Sequence, residues 1–248
     1  MFVVSPHLDD AALSVGAAIA AETARGRDVV VVSVCSVVAA CDRVTEDIAA
    51  LAILGARHLH LGLRDAPLRG IAENHAALCE GAADDDFAAA IADRLQPLLA
   101  DAVEVWGPLA VGGHVDHRAT STALRRLGHF TAYEERPYAR QPGAVRAAWH
   151  RQGAAVVDRC DAVDVDARVF FLEAIGAPAI ADPTTATAAQ LGPTLLRRQR
   201  LPIADRDRCV RRAALQAYAS QWPLVVGPVA AGGWPWDDDA EALWRPDV

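Results

Sequence analysis

The alternation of short β-rich runs with helical stretches in the first half of the chain constrains the fold most strongly. Strands are predicted at residues 2–5, 29–34, 58–63 and 102–106, and helices between them at 11–25, 45–54 and 84–99. This order predicts parallel strands joined by crossover helices. We therefore expect an α/β fold with a Rossmann-like, doubly wound, mostly parallel sheet flanked by helices. Ligands of such folds bind beyond the carboxyl ends of the strands.

The second half of the chain has a weaker pattern. Residues 206–220 predict a helix, and residues 184–194, rich in Thr, Ala and Pro, are interpreted as a flexible loop or lid. The stretch from Gly232 to the end holds three tryptophans and is not assigned to an element. Because no repeat and no break in composition divides the chain, residues 1–248 are predicted to form one domain.

Charge and composition narrow the possible partners. The net charge is −8 and all 24 basic residues are Arg, so neither a nucleic acid nor an anionic membrane surface is an expected partner. The first predicted strand begins almost at Met1, and no apolar run reaches the roughly 18 residues of a membrane span, which predicts a cytoplasmic location. The five cysteines are scattered singly and are interpreted as reduced and without a metal role. The sequence leaves open whether the protein forms a homo-oligomer.

Two clusters of imidazole and carboxylate side chains follow predicted strands. His7, Asp9 and Asp10 come directly after the first strand, and residues 113–117 (Gly-His-Val-Asp-His) come after the fourth. Taken alone, Asp9 or Asp10 could cap the next helix, and the two later histidines could be a surface pair. If the two strands are neighbours, however, both clusters reach one crevice and offer the ligands that zinc accepts. The pair of clusters therefore predicts a metal site.

The two motifs resemble those of the LmbE-like, or PIG-L, family of zinc-dependent N-deacetylases. Residues 7–10 (His-Leu-Asp-Asp) are similar to its His-Pro-Asp-Asp motif, and residues 114–117 (His-Val-Asp-His) to its His-Pro-Asp-His motif. Weaker similarities lie at residues 61–65, 133–138 and 218–221. Leu8 and Val115 replace the usual prolines, and Ala11 stands where many members carry Glu, but none of the three changes removes a metal ligand or the proposed base.

The resemblance implies a role for each residue of the two motifs. His7, Asp10 and His117 would bind Zn²⁺ and leave positions for water and substrate. Asp9 would be the general base. His114, protonated, would stabilise the oxyanion or protonate the leaving amine. Asp116 would orient His114 and raise its pKa.

The resemblance also implies the reaction. The expected activity is zinc-dependent hydrolysis of an N-acyl amide, with acetyl as the acyl group, on a small amino sugar or glycosylated metabolite, as in bacterial secondary metabolism and antibiotic biosynthesis. Two alternatives stay open at this point. Adjacent Asp and His residues also suit a metal-dependent phosphoesterase, and the same fold could carry a binding protein without catalysis.

Overall fold

The structure is a computed structural model that describes residues 1–39, 42–128, 130–140, 148, 154–156, 192–221 and 240–246. Within these residues the chain forms eight strands and five α-helices. The strands are β1 (Phe2–Ser5), β2 (Val30–Val37), β3 (Arg57–Arg64), β4 (Val105–Pro108), β5 (Thr131–Tyr133), β6 (Ala154–Val156), β7 (Gly192–Pro202) and β8 (Ala240–Pro246). The helices are α1 (Asp10–Ala24), α2 (Asp42–Ile53), α3 (Asp85–Leu99), α4 (Val115–Leu127) and α5 (Asp205–Gln216).

All eight strands belong to one sheet, in the order β3-β2-β1-β4-β5-β8-β7-β6. The strands from β1 to β5 pair in parallel, and β8 pairs antiparallel with β5 on one side and with β7 on the other. The predicted α/β fold is therefore confirmed. Strand order reverses between β1 and β4, where Phe2 pairs with Val105. This reversal is the position at which doubly wound sheets bind ligands.

Helices cover both faces of the sheet. Because successive side chains of a strand point to opposite faces, neighbouring residues of β1 belong to different buried clusters. Val3 of β1 belongs to a buried cluster with residues of α1, α2 and α5. Val4 belongs to a second cluster with residues of α3 and α4. The continuous apolar run in β2 fits a strand buried on both faces, as the sequence predicts.

The structure of the second half of the chain corrects two sequence predictions, a loop and a helix, and assigns one stretch that the sequence leaves open. The predicted loop at 184–194 ends inside a strand, because β7 begins at Gly192; residues 184–191 lie outside the described residues. The unassigned C-terminal stretch contains β8, which lies between β5 and β7. The predicted helix at 206–220 is shorter, since α5 ends at Gln216.

Among the described helices, none combines the length and the apolar character needed to cross a membrane.

A buried carboxylate from β8 supports a break in α1. The backbone of Val15 leaves helical geometry there, with φ −135° and ψ 23°. Glu241 accepts hydrogen bonds from the N–H groups of Ala17 at 3.0 Å and Ala18 at 2.7 Å, and Arg211 of α5 pairs with it at 3.0 Å. The Glu241 carboxylate therefore acts as an N-cap for the second half of α1.

Glu241→Gln is expected to lower the free energy of unfolding by about 3–5 kcal/mol, because it removes the buried carboxylate that compensates the Arg211 charge. Chemical denaturation measures the change. Asp28→Asn, which removes a fully exposed ion pair with Arg57, serves as the control and should leave the unfolding midpoint unchanged. Equal midpoints for wild type and Glu241→Gln would contradict the role of this pair.

Candidate metal and catalytic site

The loops after β1 and β4 meet at the carboxyl edge of the sheet. Ser5, the last residue of β1, fixes the first loop: its hydroxyl donates to the carbonyl of His7 at 2.6 Å and accepts the N–H of Ala11 at 3.0 Å. The second loop leads into α4, whose first turn holds Asp116 and His117, with His114 at the N-cap. The neighbouring strands thus bring the two motifs together, as the sequence predicts.

Three donor atoms converge at the centre of this site. His7 Nδ1 lies 3.0 Å from Asp10 Oδ2, His117 Nε2 lies 3.2 Å from the same oxygen, and the two ring nitrogens are 3.3 Å apart. A tetrahedral zinc with bonds of about 2.0–2.2 Å holds its ligand atoms about 3.3–3.6 Å from one another. The separations are at or slightly below this range, so the set formed by His7, Asp10 and His117 fits a metal.

His114 completes a triangle of imidazole rings. Its ring centroid lies 4.9 Å from that of His7 and 5.2 Å from that of His117. One nitrogen from each of these three rings lies within 4.8 Å of the others, so His114 is close enough to be a further ligand. The Asp10 set is more compact and contains an anionic ligand, which favours it as the primary metal site.

The structure corrects the orienting role predicted for Asp116, although its negative charge does oppose the burial that lowers the pKa of His114. The Asp116 carboxylate forms its hydrogen bonds with other groups than the His114 ring. Oδ2 accepts from His7 Nε2 at 2.9 Å and from the N–H of Ala66 at 3.0 Å. Oδ1 accepts from Arg69 at 2.7 Å. A carboxylate behind a metal-binding histidine fixes the ring and makes it a stronger ligand. Asp116 is therefore placed to orient His7. The spacing between motifs could not show this, because the contact spans 109 residues.

The charge of His114 also differs from the prediction. Burial, together with the nearby His7 and His117, holds the pKa of His114 well below its ordinary value, so the ring is neutral rather than protonated. Its Nδ1 accepts the backbone N–H of Asp116 at 3.2 Å. This bond requires an unprotonated Nδ1, and the neutral ring then carries its proton on Nε2.

Asp9 lies beside the donor set without joining it. It occupies the N-cap position of α1, but its side chain makes no capping hydrogen bond, so the capping alternative is wrong for this residue. Its Oδ1 accepts a 3.4 Å hydrogen bond from Arg43. Burial raises the pKa of Asp9; Arg43 opposes this shift and Asp10 adds to it. A buried carboxylate with a raised pKa suits proton acceptance near neutral pH.

Acidic side chains outnumber basic ones around the two ligand histidines. Among the described residues, four carboxylates (Asp9, Asp10, Asp116, Glu135) and two guanidiniums (Arg43, Arg69) contact the site. When all are ionised, two negative charges remain. Protons on the two imidazoles would balance them, and so would one divalent cation in their place.

Glu135 lies in the segment 133–138, whose resemblance to the family predicts no role for it. It follows the end of β5, its carboxylate is fully buried, and its Oε1 lies 3.2 Å from His117 Nδ1. Its position beyond the carboxyl end of a strand is typical of ligand sites, but the sequence predicts no strand at residues 131–133, so this signal becomes visible only in the structure. Arg69, which holds Asp116, has no comparable signal in the sequence.

Fold and site together define an α/β protein with a His/Asp cluster that could hold a metal at the carboxyl edge of a doubly wound sheet. The chain belongs to the PIG-L family, described as GlcNAc-PI de-N-acetylase, which it matches over residues 2–127. The resemblance seen in the two motifs is therefore confirmed, and membership places the chain among amide-hydrolysing enzymes. Comparison with curated proteins gives no match.

Several solved structures share the fold over nearly the whole chain. A40926 pseudoaglycone deacetylase Dbv21 is 23% identical, with a TM-score of 0.62, and the match covers 99% of this chain and 96% of that one. The zinc inhibited form of teicoplanin deacetylase Orf2 is 22% identical, with a TM-score of 0.64 and the same coverage. A conserved protein from Thermus thermophilus, TT1542, is 19% identical, with a TM-score of 0.51, covering 98% of this chain and 92% of that one.

Proposed function

We propose that the protein is a zinc-dependent N-deacetylase that hydrolyses the N-acetyl amide of an amino sugar carried by a small glycosylated metabolite. The observation that carries this proposal is the convergence of His7 Nδ1, Asp10 Oδ2 and His117 Nε2. Asp9 is a carboxylate outside that set, and it is close enough to His7 and Asp10 for both to shift its pKa. One anionic and two imidazole ligands beside a separate base are what metal-assisted amide hydrolysis requires.

Each residue has a defined task in this proposal. When bound, zinc supplies Lewis acidity, which makes water more acidic and polarises the amide carbonyl. Asp9 takes the proton from the attacking water at a carboxylate oxygen and returns it to the amide nitrogen as the C–N bond breaks, so that acetate and a free amine are released. His114 donates from Nε2 to the carbonyl oxygen as negative charge develops on it, a task that a neutral imidazole can perform. Asp116 keeps His7 in the orientation and tautomer that direct Nδ1 toward Asp10.

The substrate class rests on family membership and on the related structures. The family description refers to an N-acetylated glucosamine lipid, and the similar structures include deacetylases acting on the A40926 pseudoaglycone and in the teicoplanin biosynthetic pathway. The phosphoesterase alternative normally needs further carboxylates for a second metal. Beyond Asp10, the carboxylates at this site are Asp9, the proposed base, and Asp116 and Glu135, which are each bonded to a proposed ligand histidine. The site therefore supports amide hydrolysis better.

Purified protein is expected to hold about one zinc per chain and to release acetate and a free amine from N-acetylated amino sugars or glycosylated metabolites. Elemental analysis gives the metal content, and amine release is measured before chelation, after chelation and after restoration of one equivalent of zinc. Activity should disappear with the metal and return with it. Because a related deacetylase has a zinc inhibited form, the titration must distinguish the first equivalent from excess.

His7→Ala is the matched variant for this experiment. It removes a ligand, so both zinc content and amine release should fall. His58→Ala, an exposed histidine of β3 outside the donor set, controls for nonspecific metal binding. Turnover that survives complete chelation, or a full zinc complement in His7→Ala, would refute the proposal.

A further inference from the structure

Glu135 connects two parts of the site through a single buried carboxylate. It accepts the backbone N–H groups of Leu109 at 3.1 Å, Ala110 at 2.6 Å and Val111 at 3.2 Å. Its Oε1 also lies 3.2 Å from His117 Nδ1. The side chain is fully buried, so these four polar groups take the place of water around its charge.

The backbone that Glu135 holds is the loop that carries His114. This loop has unusual geometry: Ala110 has a left-handed φ of 64°, and Gly112 follows at 79°. A side chain at Gly112 would also overlap the ring of Tyr138. A non-glycine residue in the left-handed region is strained and persists only where its surroundings fix it. The three N–H bonds to Glu135 supply that constraint.

The contact with His117 determines which ring nitrogen faces the metal site. With Nδ1 directed at the Glu135 carboxylate, the opposite nitrogen, Nε2, points at Asp10. The backing carboxylate of the other ligand, His7, contacts Nε2 instead, and there Nδ1 faces Asp10. Glu135 differs from that partner, Asp116, in that it also binds the His114 loop.

We propose that Glu135 is a positioning residue that orients His117 toward the metal and, through the same carboxylate, fixes the loop carrying His114. This inference rests on the proposed zinc site. It gives a function to one residue of the segment 133–138, which resembles the family. Loss of the carboxylate should weaken zinc binding and displace His114 together.

Glu135→Gln is the test, because it keeps the size of the side chain but removes its charge and replaces one acceptor oxygen by an NH₂ donor. Loss of such a partner behind a metal ligand typically costs about 10–100-fold in metal affinity. We expect the zinc Kd of the folded protein, measured by competition with a chromophoric chelator, to rise by about this factor. At saturating zinc, kcat should stay below that of wild type, because the His114 loop is still released.

Glu134→Gln is the matched control. Glu134 is the adjacent buried carboxylate and accepts from Trp244 Nε1 at 2.8 Å, on β8. Its loss should lower stability without changing the zinc Kd. Glu135→Asp retains the charge on a shorter side chain, so an intermediate Kd is expected; this variant tests the proposal if Glu135→Gln does not fold.

The outcomes separate this proposal from the zinc site on which it rests. A folded Glu135→Gln protein with a zinc Kd within about twofold of wild type, far below the expected change, would overturn the role of Glu135. Equal weakening in Glu134→Gln would do the same, since it would indicate a general loss of stability. His7→Ala measured alongside is diagnostic: if it also binds zinc normally, the proposed metal site itself is wrong.

Discussion

Asp9→Asn is expected to lower kcat by about a hundredfold to ten-thousandfold while the protein keeps its zinc. The substitution preserves size and polarity and removes only the basic oxygen. Asp9 is suited to this test because its carboxylate is separate from the three converging donor atoms, and its side chain has no capping bond to lose. The expected defect therefore lies in proton transfer and not in folding or metal binding.

Asp10→Asn is the matched variant, one residue away on the same turn. Asp10 Oδ2 contacts His7 and His117, and their positive charge outweighs burial to hold its pKa well below the usual range. An amide at this position replaces an anionic ligand by a neutral one, so zinc content and activity should fall together. The comparison requires metal analysis and kcat on both variants, with circular dichroism as the folding control. A zinc-free but folded Asp9→Asn protein, or one that is nearly fully active, would show that the two aspartates are assigned wrongly.

The sequence predicted strands β1 to β3 and helices α1 to α3 because each has a local pattern, whereas β4 lies later than the predicted residues 102–106 and α4 was not predicted. Strand β1 falls at the predicted residues 2–5. The βα alternation requires a sheet whose strand ends share one edge, and the pairing of β1 with β4 then brings His7 and His117 together. Family membership confirms the resemblance on which the residue roles rest. The roles of His7, Asp10 and His117 as ligands and of Asp9 as base stay predictions. So do the single domain and the cytoplasmic location.

Contacts between distant residues account for what the sequence could not predict. Strand β8 follows three consecutive aspartates and ends at a proline, so no local pattern marks it as an interior strand of the sheet. The role of Asp116 was misassigned because its nearest histidine in the sequence, His114, is not the one its carboxylate contacts. The pKa of His114 likewise depends on burial and on two imidazoles, of which His7 comes from the other motif and His117 from the same one. The charges of residues and their proximity in the sequence do not show which side chains are buried together or contact one another.

The affinity of the protein for zinc is expected to rise by up to about a hundredfold per pH unit through the neutral range. In the metal-free site, burial lowers the pKa of His7, but hydrogen bonds to Asp10 and Asp116 outweigh it and raise this pKa to about 9. Burial is likewise outweighed at His117, where Asp10 and Glu135 raise the pKa to about 10. Both rings therefore hold a proton at neutral pH. Zinc must displace both, because a ligand nitrogen has to be unprotonated.

The sign and the range of this dependence follow from the raised pKa values. Each displaced proton contributes a factor of about ten per pH unit, so acidification weakens zinc binding, and the dependence flattens as the pH rises through about 9, the pKa of His7. Competition with a chelator of known pH dependence, at pH values of about 6, 7 and 8, measures the slope. Calorimetry in buffers of different protonation enthalpy should count about two protons released per zinc. His58→Gln should keep the same slope, since this ring contacts His60 outside the site. A slope of less than about tenfold per pH unit would mean that at most one proton is displaced, and that the carboxylates around His7 and His117 do not hold a proton on each ring.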